Sequence, residues 1–317
     1  MAAGDGRPTD IHMPIRDLEF IFLGTGTSAG VPIIACDCRV CHSADPRDKR
    51  TRTGAALRFT DGNGQPRVIL LDATPDLREQ ALRHKLTRCD AIVFTHNHVD
   101  HTFGLDEVRR FNAVMRSPID IYADPHTMET LQRIYRHIFE HDKNVNDSFV
   151  ATLLPHLIDT GGAGVPPAIL NLFGLRFTPL RLLHGRSPVL GFRIEEIDPS
   201  LSSQSPSPQP SPGGRGISGD DDSRSILPLA YCTDVSGIPP ETWPRLRGLN
   251  TLVLDMLRFR AHPTHFSHDE AAATAERIGA KRTYFIHMAH DIMHAEVDGN
   301  LPEGMHLAYD GLVLNQV

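Results

Sequence analysis

Three imidazoles and a carboxylate stand within six residues at His96-Asn97-His98-Val99-Asp100-His101. Nitrogen and oxygen donors packed this closely can supply the inner shells of two adjacent metal ions. A second cluster, Cys36-Asp37-Cys38-Arg39-Val40-Cys41, brings three thiols within reach of one tetrahedral Zn²⁺. Such a zinc needs a fourth ligand, for which the adjacent His42 and the distant His290 are candidates. The chain has five cysteines, an odd number with three crowded together, which argues against a disulfide framework. Cys89 and Cys232 lie in strand-like surroundings and are expected in the core.

The elements around these clusters follow from periodicity. Asp90-Ala-Ile-Val-Phe-Thr95 is a short apolar run that reads as a buried strand, and residues 103–112 have helical spacing. The histidine motif is therefore expected on a strand-to-helix loop, where irregular backbone can aim several side chains at one point. Further strand-like runs occur near 19–23, 55–59, 67–72, 119–123, 174–183, 190–197, 228–233, 251–256, 283–286 and 306–315. Helices are expected over 76–84, from an Asp124 N-cap with Pro125 to about His141, and from Ser267 onward. Hairpins and helices in this mixture fit an α/β fold, an αββα sandwich of two facing mixed sheets with helices outside. Tyr309-Asp-Gly-Leu312 reads as the turn of a last hairpin. Residues 1–16 are expected to form a flexible tail before a single domain over 17–317. The Pro/Ser/Gly-rich stretch at 200–225 has almost nothing to bury and reads as a disordered insertion.

With 317 residues and 40% hydrophobic content, the chain can bury a sizeable core. Its net charge of −7 offers no global basic field for an extended nucleic-acid surface. The first residues lack the apolar run of a signal peptide, and no stretch approaches the roughly 18 apolar residues of a membrane span. A cytoplasmic protein with no membrane partner is expected, monomeric or homodimeric.

An H-x-H-x-D-H string after a strand resembles the metallo-β-lactamase superfamily. The resemblance implies three further ligands, and His184, Asp234 and His287 each end a strand-like run. It places His96, His98 and His184 on one metal, Asp100, His101 and His287 on the other, and Asp234 between them. Asp72 would orient a ligand from behind. Leu23-Gly-Thr-Gly-Thr-Ser-Ala-Gly-Val-Pro32, the Cys loop, Leu70-Leu-Asp-Ala-Thr-Pro-Asp76 and Thr233-Asp-Val-Ser-Gly-Ile-Pro239 narrow the likeness. They resemble the phosphoribosyl 1,2-cyclic phosphate phosphodiesterase branch, as does Leu301-Pro-Glu-Gly-Met305.

That branch implies two catalytic divalent metals, Mn²⁺ or Zn²⁺, and one structural Zn²⁺ held by Cys36, Cys38, Cys41 and His290. His290 is preferred over His42 because it ties the Cys loop to the rim of the active site. The implied reaction is attack of a metal-bridged hydroxide on a small phosphodiester. Asp100 is counted with the catalytic residues, and His265, 22 residues before His287, is the implied general acid, with His262 and His268 as competitors. Arg109 either contacts the substrate phosphate or is a solvated helical side chain. The rival readings are a ribonuclease Z-like enzyme, a thioester or lactam hydrolase, and a non-catalytic protein like pyrroloquinoline quinone biosynthesis protein B. The intact histidine motif favours catalysis.

Overall fold

The computed structural model describes residues 14–145, 149–161, 165–197 and 225–316. The first sheet contains β1 (Arg16–Gly24), β2 (Gly54–Thr60), β3 (Pro66–Leu71), β4 (Ala91–Val93), β5 (Ile119–Ala123) and β6 (Leu153–Leu157). The second contains β7 (Leu170–Leu172), β8 (Leu175–His184), β9 (Ser187–Glu196), β10 (Leu229–Cys232), β11 (Thr251–Asp255), β12 (Arg282–Ile286) and β13 (Met305–Leu307). The last strand, β14 (Val313–Asn315), returns to the first sheet beside β1. The strand orders are β14-β1-β2-β3-β4-β5-β6 and β13-β12-β11-β10-β9-β8-β7. Each sheet is mixed. Antiparallel pairing runs up to β3 in one and between β7 and β10 in the other, and the remaining pairs are parallel.

Alternation along the strands builds the layers. Phe20, Phe22 and Val93 point between the sheets and meet Phe177, Phe192, Tyr231 and Val253. Ile21, Leu23 and Phe94 point outward under Leu77, Phe111 and Leu131. On the other side Leu252, Leu254 and Phe285 lie beneath Ala271 and Ala275. Strands buried on both faces read as continuous apolar runs, which is why they were visible in the sequence.

The helices are α1 (Leu77–Arg83), α2 (Val99–Thr102), α3 (Arg109–Met115), α4 (Pro125–Ile134), α5 (Arg136–Phe139), α6 (His268–Ile278) and α7 (His294–Asp298). Asp124 caps α4 through Thr127 N, and Ser267 with Glu270 forms a capping box on α6.

Several expectations are corrected. The helix from Pro125 breaks at Tyr135, whose hydroxyl donates to the Thr102 carbonyl at 3.0 Å. The expected last hairpin is not one: β13 pairs with β12 in the second sheet, while β14 pairs with β1 in the first. The Tyr309–Leu312 turn instead carries the chain across, and the Asp310 carboxylate accepts from Thr25 and Thr51 there. The histidine motif is not all loop, since Val99 to His101 already lie in α2. Order also starts earlier than the expected tail allowed. Arg16 opens β1, and the buried Ile15 donates its N–H to Glu196. Residues 1–13 and the insertion expected at 200–225, apart from Ser225, lie outside the described residues.

Candidate metal centre

The parallel strands β3, β4, β10, β11 and β12 deliver their C-terminal ends to one edge of the sandwich, and β8 ends there too. Asp72, Asp234 and His287 follow β3, β10 and β12, and all three have positive φ (66°, 56° and 63°). Left-handed backbone is uncommon for residues with a Cβ and collects where a site over-determines it. Gly104 lets α2 lie close against the segment after β3, because a Cβ there would meet the Thr74 carbonyl oxygen at 2.0 Å.

Hydrogen bonds set the face that each imidazole presents. Asp72 accepts from Thr95 N (2.8 Å) and Thr95 Oγ1 (2.9 Å), and its Oδ2 lies 2.8 Å from His101 Nδ1. A carboxylate only accepts, so His101 Nδ1 carries hydrogen and Nε2 is turned to the interior. Against the effect of burial, Asp234 and Asp72 raise this ring well above the ordinary imidazole value, so a bound cation would displace a proton from it. The Thr95 hydroxyl spends its one hydrogen on Asp72, so it accepts from His96 Nδ1 at 2.9 Å. His184 Nδ1 donates to the Thr264 carbonyl at 2.7 Å. Each of these rings therefore turns its Nε2 inward, the nitrogen through which a neutral imidazole binds metal.

The inward donors converge on Asp234. Its Oδ2 lies 3.1 Å from His101 Nε2, and its Oδ1 lies 3.3 Å from His287 Nε2 and 3.8 Å from His96 Nε2. Asp100 Oδ2 is 3.4 Å from His101 Nε2 and 3.6 Å from His287 Nε2. The His98 ring lies 4.6 Å from that of His96 and 5.0 Å from that of His184, centroid to centroid. The histidine string contributes to two donor groups, His96–His98–Asp234 and Asp100–His101–Asp234–His287, and Asp234 belongs to both; His184–Asp234–His265 and Asp255–His265–His287 overlap them. The Nε2 atoms of His96, His101 and His287 are buried without a hydrogen-bond partner. Inward nitrogens crowded beside buried carboxylates fit a cation better than they fit one another. Burial opposes charge on His287, yet Asp234 and Asp100 raise it to about 9. A bound cation would displace that proton.

His265, 8% exposed, stands over this cluster. Its ring stacks on His287 at 4.7 Å and lies 4.5 Å from His184. Its Nδ1 is 3.2 Å from both oxygens of Asp255, which also accepts from Phe266 N. His262 sits farther out, its ring 5.3 Å from that of His265, and His268 turns to Asp269 on α6. Of the three, His265 lies against the rings of His184 and His287. Sequence reasoning missed Asp255, although it ends β11 as the other donors end their strands. Arg109 pairs with Asp106 at 2.7 Å on the surface of α3, with its side chain 43% exposed, which is the solvated alternative.

The cysteine cluster forms a separate group. His290 Nδ1 lies 3.1, 3.4 and 3.8 Å from the sulfurs of Cys36, Cys38 and Cys41. Zinc bonds of about 2.3 Å to sulfur and 2.0 Å to nitrogen give tetrahedral edges of roughly 3.5 Å, so the four donors fit one ion. The Cys41 N–H holds the Cys38 thiol down at about 6, whereas burial pushes Cys41 up to about 11. His42 pairs with the exposed Asp37 instead. Fully buried Arg50 ties the loop to the His290 segment by donating to Asp48 (3.0 Å) and to the Ala289 and Ile292 carbonyls.

The family model described as the beta-lactamase superfamily domain matches residues 67–202 and 219–288. The chain belongs to this superfamily. It is similar to a solved diphosphatase of the PhnP family, with 35% identity, a TM-score of 0.75, and 95% and 98% of the two chains covered. Zn²⁺-bound PqqB from Methylobacterium extorquens shares the fold at 20% identity and TM-score 0.62, with 93% and 99% covered. A protein of Porphyromonas gingivalis named octanoyltransferase is 32% identical over 297 residues, which are 93% of this chain and 51% of that protein. The chain spans about half the length of the curated relatives it matches first. Among the described residues no helix is long and apolar enough to cross a membrane.

Proposed function

We propose that the chain is a dinuclear metal-dependent hydrolase of small phosphodiesters, cyclic ones such as phosphoribosyl 1,2-cyclic phosphate included. The observation that carries this reading is Asp234, which belongs to both donor groups and so suits a bridging ligand between two ions. His96, His98 and His184 would hold one ion and Asp100, His101 and His287 the other. Such a pair supplies Lewis acidity toward a phosphoryl oxygen and acidifies water.

The protein's own part is positioning and proton handling. Hydrolysis adds water across a P–O bond, and the departing oxygen takes up a proton. His265 holds that proton at Nε2, while Asp255 fixes the ring through Nδ1. Asp72, Thr95 and the Thr264 carbonyl keep His101, His96 and His184 in register. The 35% identical diphosphatase, matched over nearly its whole length, supports phosphoryl chemistry. The Cys36, Cys38, Cys41 and His290 cluster would hold a structural Zn²⁺ away from the chemistry.

A second reading, hydrolysis of an acyl thioester, draws on the Porphyromonas gingivalis relative and its name. Metal-defined protein assayed on cyclic and linear diesters, diphosphates and thioesters separates the two. General acid assistance is worth about 10²–10⁴ in rate. His265→Ala should therefore keep its catalytic metals and lose rate on that scale with an alkoxide leaving group, and much less with nitrophenolate. Equal losses on both would refute the acid role, and a preference for thioesters would overturn the diesterase reading.

A further inference from the structure

Beside the metal cluster lies a cavity of about 520 Å³ that the proposed chemistry does not use. Three links join its wall to the candidate ligands. Leu183 immediately precedes His184 on β8. Leu190 donates its N–H to the carbonyl of Thr95, the neighbour of His96. His126, at the start of α4, lies 3.1 Å from the amide of Asn97, between His96 and His98. A molecule whose reactive group sat among the histidines would have this space next to it.

The wall decides what fits there. Leu183, Pro188, Pro125 and Pro239 give it an aliphatic surface, backed by Val189 and Leu190. Its polar members do not make an anion site. The Arg181 guanidinium donates to the Thr160 and Gly161 carbonyls, and Asp124 is committed to capping α4. Two carboxylates, Asp124 and Glu241, line the cavity along with this one guanidinium. A second phosphate would meet acids and hydrocarbon, whereas an alkyl or aryl group would leave water for a dry wall.

We infer that this cavity is a specificity pocket for an uncharged, apolar substituent of the substrate, aliphatic or aromatic. The inference rests on the hydrolase reading for placing the reactive group at the metal cluster. The pocket selects by size and polarity, so substrates bearing a hydrocarbon group beside the scissile centre are preferred over purely ionic ones of the same reactive type.

Binding of methyl-, hexyl- and phenylphosphonate to the metal-loaded protein, followed by calorimetry, tests this without turnover. Hexyl- or phenylphosphonate should bind at least about tenfold tighter than methylphosphonate, the scale on which apolar pockets discriminate. The hexyl and phenyl arms tell an aliphatic occupant from an aromatic one. Leu183→Asp and Pro239→Asp lie on different segments, and melting curves would show that each folds. Both should abolish the preference and leave methylphosphonate affinity unchanged. Equal affinities for the three probes, or a preference that survives both substitutions, would overturn the pocket. If the preference holds while no ester of any class is hydrolysed, the hydrolase reading fails and the pocket stands.

Discussion

At the residue scale the site depends on which nitrogen of each imidazole is turned inward. Asp72 makes that choice for His101 and, through the Thr95 hydroxyl, for His96. Removing its charge should weaken the centre without deleting a donor from either group. Asp72→Asn is expected to lower catalytic metal affinity by about 10–100-fold, the usual effect of losing such a partner. Competition with a chelator of known affinity would measure it, and unchanged affinity would remove Asp72 from the account. The inward donors were legible because four of them form one local string and the rest end apolar strands. Asp255 obeys the same strand-end rule, but a carboxylate that holds an imidazole and a backbone N–H has no spacing signature of its own. His265 was implied by resemblance alone, and its stacking on His287 is information only the fold supplies.

At the scale of elements, the Cys loop is held from below by a buried charge. Arg50 and Asp48 are both inaccessible, and Asp48 also accepts from His294 N at 2.8 Å at the start of α7. Removing one partner of such a pair strands the other charge in the core. Arg50→Ala is expected to destabilise the protein by about 3–5 kcal/mol. The Cys36–His290 cluster should also release its metal to a chelator faster, since the two segments that carry it lose their tie. Wild-type stability in urea would contradict this. Nothing in the sequence around Arg50 announced the pair, because it joins the loop to residues about 240 positions away. The same distance problem explains the false last hairpin. A Tyr-Asp-Gly turn between two β-like runs fixes local geometry, but which sheet each run joins is decided by β1 and β12. The edge strand β6, interrupted by Pro155 and mostly exposed, lacks the apolar run that revealed the buried strands.

At the scale of the whole molecule, the candidate ligands are divided between the two sheets. His96, His98, Asp100 and His101 follow β4 in the first, and His184, Asp234 and His287 lie on strand ends of the second. Ions at this seam would add a link between two layers that meet through the apolar core and a few hydrogen bonds such as Leu190 N–H to the Thr95 carbonyl. Binding confined to the folded state stabilises by mass action, about 4 kcal/mol when free metal exceeds Kd by 1,000-fold. In a domain of this size that corresponds to a rise in Tm on the order of 10 °C. Chelated protein should therefore melt well below metal-loaded protein, with a gap that widens as free metal increases. Asp234→Asn, which removes the carboxylate shared by both donor groups, should close most of that gap while leaving the smaller contribution of the Cys36–His290 cluster. Chelated and loaded proteins that melt together would show that no metal bridges the sheets, and the seam would then be held by side chains alone.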